Sequence, residues 1–164
     1  MRRMALDIFR PGMVFTPVRR RDTTAEVIVM AYFEWSDALS VKVKEIDDQH
    51  RKLVELLNSL YEAHLARMGK EVQKEIIASM VGYAQTHFRT EEGYMQKLGY
   101  PGFAEHRAEH VDFAMKAQEL QARVDSAGLI FTVEILEFLK RWLQDHIMGT
   151  DMKYSAHFNE CGVC

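Results

Sequence analysis

The chain has 164 residues, a hydrophobic fraction of 48%, a charged fraction of 27% and a formal net charge of −3. This length and composition are typical of one globular domain that can bury its own core. The small negative charge excludes a basic surface for nucleic acid, and no apolar run reaches the length of a membrane span.

Residues 1–34 differ from the rest of the chain, because they contain Pro11, Pro17 and a run of three arginines without a sustained helical period. We interpret them as a poorly ordered N-terminal extension, and residues 35–164 as the domain. The extension lacks the continuous apolar stretch and the small-residue cleavage site of a signal peptide. The sequence therefore predicts a cytoplasmic location. It leaves open whether residues 1–29 are native.

Four segments with apolar residues spaced three and four apart predict amphipathic helices. Their apolar positions run over residues 46–64, 76–98, 103–124 and 135–146. Turn-forming residues separate them, the strongest break being Gly99-Tyr100-Pro101-Gly102. Because short connections make antiparallel neighbours, we predict an all-α, up-down-up-down four-helix bundle.

Five histidines and one glutamate lie on these apolar stripes, and an aspartate follows the last of them. They are His50, His87, Glu91, His106, His110, His146 and Asp151. In an antiparallel bundle they all fall at the same end. A buried histidine costs free energy unless it is hydrogen-bonded or ligated, imidazoles suit a transition metal, and carboxylates can bridge two ions. The pattern therefore predicts a metal site.

The spacing supports some pairs better than others. His106 and His110 are four residues apart, as are His87 and Glu91, so each pair shares a helix face. A straight helix places His146 and Asp151 poorly together, and we expect Gly149 to let the chain turn inward. A single histidine on an apolar stripe is more often a core residue than a ligand, so only the coincidence of all five carries the prediction. We assign His64 and His157 to packing or surface.

The segments IDDQH, HFRTEE, HRAEH and HIMGTD, in this order, resemble the hemerythrin family, and most of all its single-domain bacteriohemerythrins. The resemblance covers about residues 35–154. It implies one iron held by His106, His110 and His146, and a second held by His50 and His87. It also implies that Glu91, Asp151 and an oxo or hydroxo group bridge the two irons, and that Leu53 and Leu143 line an oxygen pocket. We assign Trp35, Phe88 and Trp142 to packing.

The implied ligand count is asymmetric. Three imidazoles and three bridges fill one octahedral iron, whereas two imidazoles leave the other iron with an open position for a small ligand. The resemblance thus implies reversible binding of molecular oxygen for transport, storage or delivery to an oxygen-consuming partner enzyme, without catalysis. Two alternatives stay open: a di-iron enzyme (peroxidase, nitric oxide reductase or oxidase) and an oxygen or iron sensor.

Cys161 and Cys164 form a C-x-x-C motif after the last predicted helix. We predict a frayed tail with two reduced thiols. The alternative is a redox or metal-binding site, although no second C-x-x-C completes a zinc site.

Overall fold

Four long helices dominate residues 31–124 and 130–164, which are the part of the chain that the computed structural model describes. They are α1 (Lys44–Leu65), α2 (Lys70–Leu98), α3 (Phe103–Val124) and α4 (Ile130–His146). Helices α1 and α3 each pack against both α2 and α4. This arrangement confirms the predicted all-α four-helix bundle, and the described residues contain no strand.

The connections are short where the sequence predicts breaks. Helix α2 ends at Leu98 and is capped by Gly99, whose φ of 64° is left-handed and therefore suits a residue without a Cβ atom. The amide of Tyr100 donates to the carbonyl of Met95 at 2.9 Å, which closes the helix end. The four residues 66–69 connect α1 to α2. Neighbouring helices are thus forced to run in opposite directions.

The segment before α1 is attached to the bundle. The amide of Phe33 donates to Oδ1 of Asn58 at 2.9 Å, and Nδ2 of Asn58 donates back to the carbonyl of Phe33 at 2.8 Å. Tyr32 stacks on Tyr61 with ring centroids 4.6 Å apart. Residues 31–34, which we assigned to the extension, therefore contact α1, and residues 1–30 lie outside the described residues.

Asp47 connects this segment to the first turn of α1. Its carboxylate accepts hydrogen bonds from Oγ of Ser40 at 2.5 Å and from the amide of Val41 at 2.8 Å. A carboxylate in the first turn of a helix also faces the unpaired amides there. The segment 39–43 is thereby held against the end of the bundle where α1 begins.

The apolar core consists of two clusters. The larger cluster fills most of the bundle and includes Leu53, Phe88 and Leu143. The smaller cluster includes Ile46, Met95 and Tyr154. On α1 and α2 a polar layer separates the two, since His50 lies between Ile46 and Leu53 in the chain. Apolar side chains thus cover the polar layer on both sides.

Helix α4 does not lead into a frayed tail. A π-helical turn, Ile147–Asp151, follows directly and continues into a helix, α5 (Met152–Glu160). Tyr154 and Phe158 of α5 are fully buried in the smaller cluster. The predicted frayed tail is therefore wrong. Among the described residues, no helix combines the length and the apolarity that crossing a membrane requires.

Candidate metal centre

The seven residues that the sequence analysis names as candidate ligands come together at one end of the bundle, and all are buried. The exposed fraction of each residue is 3% or less. They are contributed by α1 (His50), α2 (His87 and Glu91), α3 (His106 and His110), α4 (His146) and the π-helical turn (Asp151). Helical spacing places the α2 and α3 pairs on single faces, as the sequence predicts.

The π-helical turn places Asp151 beside His146. In a π-helix the hydrogen bonds join residues five apart, so residues with that spacing are brought onto one face. Gly149 is not what turns the chain, because its φ is not left-handed and a Cβ atom added there would meet nothing within 4 Å. Our expectation for Gly149 is therefore wrong, and the inward position of Asp151 comes from the helix geometry.

The side chains form two overlapping groups that could each hold a metal ion. The three-histidine group consists of His106, His110, His146 and Glu91. The two-histidine group consists of His50, His87, Glu91 and Asp151. Within each group the ligand atoms all lie within 4.8 Å of one another. Glu91 belongs to both groups, so the two sites adjoin.

The Asp151 carboxylate also reaches both groups. Its Oδ2 lies 3.2 Å from Nε2 of His50, and its Oδ1 lies 3.2 Å from Nε2 of His146. Oε2 of Glu91 lies 3.2 Å from Nε2 of His110 and 3.5 Å from Nε2 of His87. Each carboxylate thus lies between the two sets of imidazoles, where a bridging ligand would have to be.

Three of the histidines have a hydrogen-bond partner on the side away from the centre. Nδ1 of His110 lies 3.0 Å from Oε1 of Glu92, and Nδ1 of His146 lies 2.9 Å from Oε2 of Glu109. Nδ1 of His87 lies 3.0 Å from Oε1 of Gln49. Because oxygen accepts these hydrogen bonds, each Nδ1 carries the proton and each neutral ring presents the lone pair of Nε2 to the centre.

The facing nitrogens indicate a cation that both of them bind. Nε2 of His110 and Nε2 of His146 are 3.1 Å apart, and both rings use Nδ1 as the donor. Two lone pairs at that distance repel each other unless a positive ion lies between or beside them. Nε2 of His50 and Nε2 of His87 are 3.2 Å apart, and His87 also uses Nδ1 as the donor. The donor set therefore fits a metal ion better than a hydrogen-bonded polar core.

Asp151 gives the same indication. Both its carboxylate oxygens are buried and have no hydrogen-bond partner. Burial, followed by the negative charge of Glu91, raises the pKa of Asp151 well above its ordinary value. An anionic carboxylate without donors is costly in an apolar interior, and a bound cation reverses that cost.

Burial also keeps three of the imidazoles neutral. It lowers the pKa of His87 to about 3 and that of His146 to about 2, and it lowers the pKa of His50 as well. Burial alone would raise the pKa of Glu91, but the surrounding imidazoles, His87 foremost, lower it well below its ordinary value. Neutral imidazoles and an ionised glutamate are the protonation states that metal ligation requires.

Tyr154 of α5 holds the other oxygen of Glu91. Its hydroxyl donates a hydrogen bond to Oε1 of Glu91, and the side chain is fully buried. Burial, together with the charges of Asp151 and Glu91, raises the pKa of the Tyr154 hydroxyl well above its ordinary value. Tyr154 therefore stays a neutral donor and fixes the orientation of the carboxylate that both groups share.

Aromatic rings pack against the imidazoles. Phe88 stacks on His110 with centroids 3.8 Å apart, and Trp142 stacks on His146 at 4.3 Å. The Trp35 ring centroid lies 6.3 Å from that of His50. These contacts are apolar, as we predicted for packing residues, and they restrict the rotation of the ligand rings.

Leu53 and Leu143 lie one helical turn from His50 and His146 and are 2% and 3% exposed. They belong to the same apolar cluster. His64, on the α1 stripe, takes part in neither ligand group. Nε2 of His157 lies 3.0 Å from the carbonyl oxygen of Leu98, so His157 also has a packing role.

Sequence reasoning missed the residues that support the ligands. Gln49, Glu92 and Glu109 are each the immediate neighbour of a predicted ligand in the chain. Gln49, Glu92 and Glu109 lie off the apolar stripes, and helical periodicity selects only residues that point inward. Tyr154 could have been found only by extending the helical pattern beyond Asp151.

Comparison with known proteins connects this geometry to one family. A family model described as the hemerythrin HHE cation binding domain matches residues 41–157. The bacteriohemerythrin of Stenotrophomonas maltophilia (strain R551-3) is 36% identical over 135 residues, which cover 80% of this chain and 87% of that protein. The bacteriohemerythrin of Clostridium acetobutylicum is 32% identical over 128 residues, covering 74% of this chain and 98% of that protein.

Solved structures agree with these relatives. The crystal structure of a wild-type hemerythrin superimposes with a TM-score of 0.69 at 28% sequence identity. The match covers 77% of this chain and 97% of that chain. The similarity therefore includes almost the whole of the solved bundle.

Proposed function

Because this chain belongs to the hemerythrin family, we propose that it binds molecular oxygen reversibly at a non-haem di-iron centre. Hemerythrin domains bind non-haem iron, and the described residues contain two groups that could hold metal ions. The observation that carries the proposal is the convergence of five buried imidazoles with two buried carboxylates that each reach both groups. Five imidazoles and two carboxylates suit iron and do not suit magnesium or calcium.

The proposed ligands follow the two groups. His106, His110 and His146 would hold one iron, and His50 and His87 would hold the other. Glu91 and Asp151, with an oxo or hydroxo group, would bridge them. When bound, the two ferrous ions would each supply one electron to oxygen and recover it on release. The two-histidine group offers one imidazole fewer, so an iron held there would carry the open position.

The chain's own residues provide the conditions for reversibility. The apolar side chains of Leu53 and Leu143 are buried beside the ligands, and we propose that they line the oxygen pocket. A dry pocket keeps out water and anions that would displace reduced oxygen and leave the irons oxidised. Tyr154 holds the shared Glu91 in place, which keeps the ligand geometry constant while the charge at the site changes.

An oxygen carrier, store or supplier is favoured over an enzyme, because histidines outnumber carboxylates five to two. A less anionic ligand set stabilises highly oxidised iron less well. The predicted cytoplasmic location and an oxygen-consuming partner enzyme belong to the same proposal. An oxygen or iron sensor would need an output element, for which the described bundle offers no separate domain.

The test is spectroscopic. Reduced, iron-loaded protein is exposed to air and then flushed with argon, while the near-visible absorption is recorded over several cycles. We expect a charge-transfer band that appears with oxygen and disappears without it. Irreversible oxidation within seconds, with turnover when a reductant is added, would instead identify a di-iron oxidase or peroxidase.

A further inference from the structure

We propose that Cys161 and Cys164 form a thiol–disulfide exchange site that closes into an intramolecular disulfide on reaction with small disulfides. The proposal does not rest on the oxygen-binding function. Both thiols are free and exposed. Neither belongs to a group of three or more side chains of the described residues that could hold a metal.

The chain around the two thiols is folded. The amide of Val163 donates to the carbonyl of Phe158 at 2.9 Å, and the amide of Gly162 donates to the carbonyl of Asn159 at 3.0 Å. Gly162 has a φ of 82°. These three features define a Schellman turn at the end of α5, in which the glycine supplies the left-handed residue.

A hydrophobic contact fixes this turn to the bundle. Val163 packs against the smaller apolar cluster, which contains the fully buried Phe158. The Schellman turn commonly includes such a contact between these two positions. The turn therefore fixes the path of the chain from Cys161 to Val163, and both cysteines are exposed at the surface.

Small molecules have access to the pair. Cys164 lines a surface cleft of about 550 Å³, together with residues of α1 and α2 that include Lys44, Gln49 and Tyr94. A cleft of this size lies within the range that small ligands occupy. An attacking disulfide can therefore reach Cys164 without any opening of the bundle.

Other roles for the pair fit the structure less well. A disulfide across two intervening residues closes a very short loop, so it adds little to the stability of the fold. Two thiolates alone do not complete the tetrahedral ligand set of structural zinc. Exposed thiols with the C-x-x-C spacing are typical of reversible exchange.

The reaction is a two-electron exchange. One cysteine thiolate attacks a sulfur of the small disulfide, forms a mixed disulfide and releases one small thiol. The second cysteine thiolate then attacks the protein sulfur of that mixed disulfide, releases the second small thiol and closes the Cys161–Cys164 bond. Both protein thiol protons pass through solvent to the two released thiolates, so the protein is oxidised as the small disulfide is reduced.

The test equilibrates the full-length protein without oxygen in mixtures of glutathione and glutathione disulfide. Free thiols are then alkylated and the intact mass is measured. We expect one oxidised species that carries neither an alkyl group nor glutathione. Its mass should be that of the unmodified reduced chain less two hydrogen atoms. Its fraction should rise from a tenth to nine tenths over an about 80-fold change in [GSSG]/[GSH]², as a two-electron couple requires.

Two single variants serve as controls. Cys161→Ser and Cys164→Ser each leave one exposed thiol, and we expect each to stop at an adduct with one glutathione. If the unmodified chain instead carried glutathione on both cysteines, formed only intermolecular dimers or did not react, the two thiols would not act as a pair and the proposal would be wrong.

Discussion

The two ligand groups differ in what holds their histidines from outside. In the three-histidine group, His110 and His146 donate to the carboxylates of Glu92 and Glu109, and Nδ1 of His106 has no hydrogen-bond partner. In the two-histidine group, His87 donates to the neutral amide of Gln49, and Nδ1 of His50 has no hydrogen-bond partner. A carboxylate partner fixes an imidazole more firmly and raises its basicity.

This difference assigns a separate role to each group. The three-histidine group has more imidazoles and anionic outer partners, as a ligand set that stays constant should have. The two-histidine group has fewer imidazoles and a weaker outer partner. We therefore expect the first to retain its metal more strongly and the second to be the side where oxygen binds.

We expect the strongest effect from a change to Glu91, because both ligand groups contain this residue. Glu91→Gln keeps the size of the side chain but removes the charge that reaches both groups and weakens both sites together. We expect the iron content to fall to well under one ion per chain, because each site loses a charged ligand. Metal analysis of purified protein measures this, with Glu55→Gln on the exposed face of α1 as the control. Full iron content in Glu91→Gln would mean that the groups are not bridged by this residue.

The outer partners provide the direct comparison between the groups. Removing a partner of this kind typically costs about 10–100-fold in metal affinity. We expect Glu109→Ala, which releases His146, to lie near the upper end of that range, and Gln49→Ala, which releases His87, near the lower end. Competition with a chelator measures both variants. A larger loss in Gln49→Ala would contradict the assignment of the three-histidine group as the firmer one.

Two buried leucines of α1 distinguish an effect on oxygen binding from an effect on stability. Leu53 and Leu57 are both buried on α1, but only Leu53 is one turn from His50. Replacing either with alanine should lower the free energy of unfolding by about 2–5 kcal/mol. Only Leu53→Ala should also shorten the lifetime of the oxygenated form, because it admits water to the proposed pocket. Equal lifetimes in the two variants would remove Leu53 from the pocket.

In the metal-free protein, we expect the free energy of unfolding to depend on pH. The pKa values of His87 and His146 are lowered to about 3 and about 2, whereas an unfolded histidine titrates near 6.5. Below about pH 6.5 the unfolded state binds more protons than the folded state, so these groups make stability fall as the pH falls. The raised pKa of Asp151 acts in the opposite direction on stability. It is one group, whereas three histidines have lowered pKa values.

From pH 7 to pH 5.5 we therefore expect a loss of about 1–3 kcal/mol in the free energy of unfolding, measured by urea titration of the metal-free protein. A variant in which His64, outside both groups, is replaced by glutamine should show the same loss. An unchanged or rising stability over this interval would mean that the histidines are not buried in the neutral form.

The sequence was sufficient for the bundle and for six of the seven converging residues, because both depend on the same helical periodicity. His50, His106 and His110 lie on apolar stripes, and antiparallel packing brings the stripe ends together. Asp151 was harder to place. A residue five positions from His146 fits no α-helical face, and a π-helical turn has no clear signal in one sequence.

Residues outside the stripes could not be predicted in the same way. Glu92 and Glu109 look like ordinary surface carboxylates in a helical pattern, and their role depends on how neighbouring helices are rotated. Tyr154 and Val163 contact the bundle through α5, whose position depends on the continuous path of the chain through Asp151. Such contacts are set by tertiary packing, which periodicity does not specify.

Reversible oxygen binding at two irons is tested by measuring iron and oxygen in the same sample. Reduced protein of known iron content is titrated with oxygen under anaerobic conditions and then flushed with argon, and the oxygen bound and released is counted. If oxygen binds reversibly at a di-iron centre, we expect two irons per chain, one oxygen bound for each pair of irons and recovery of that oxygen on flushing. One iron per chain, or oxygen consumed without release, would contradict it.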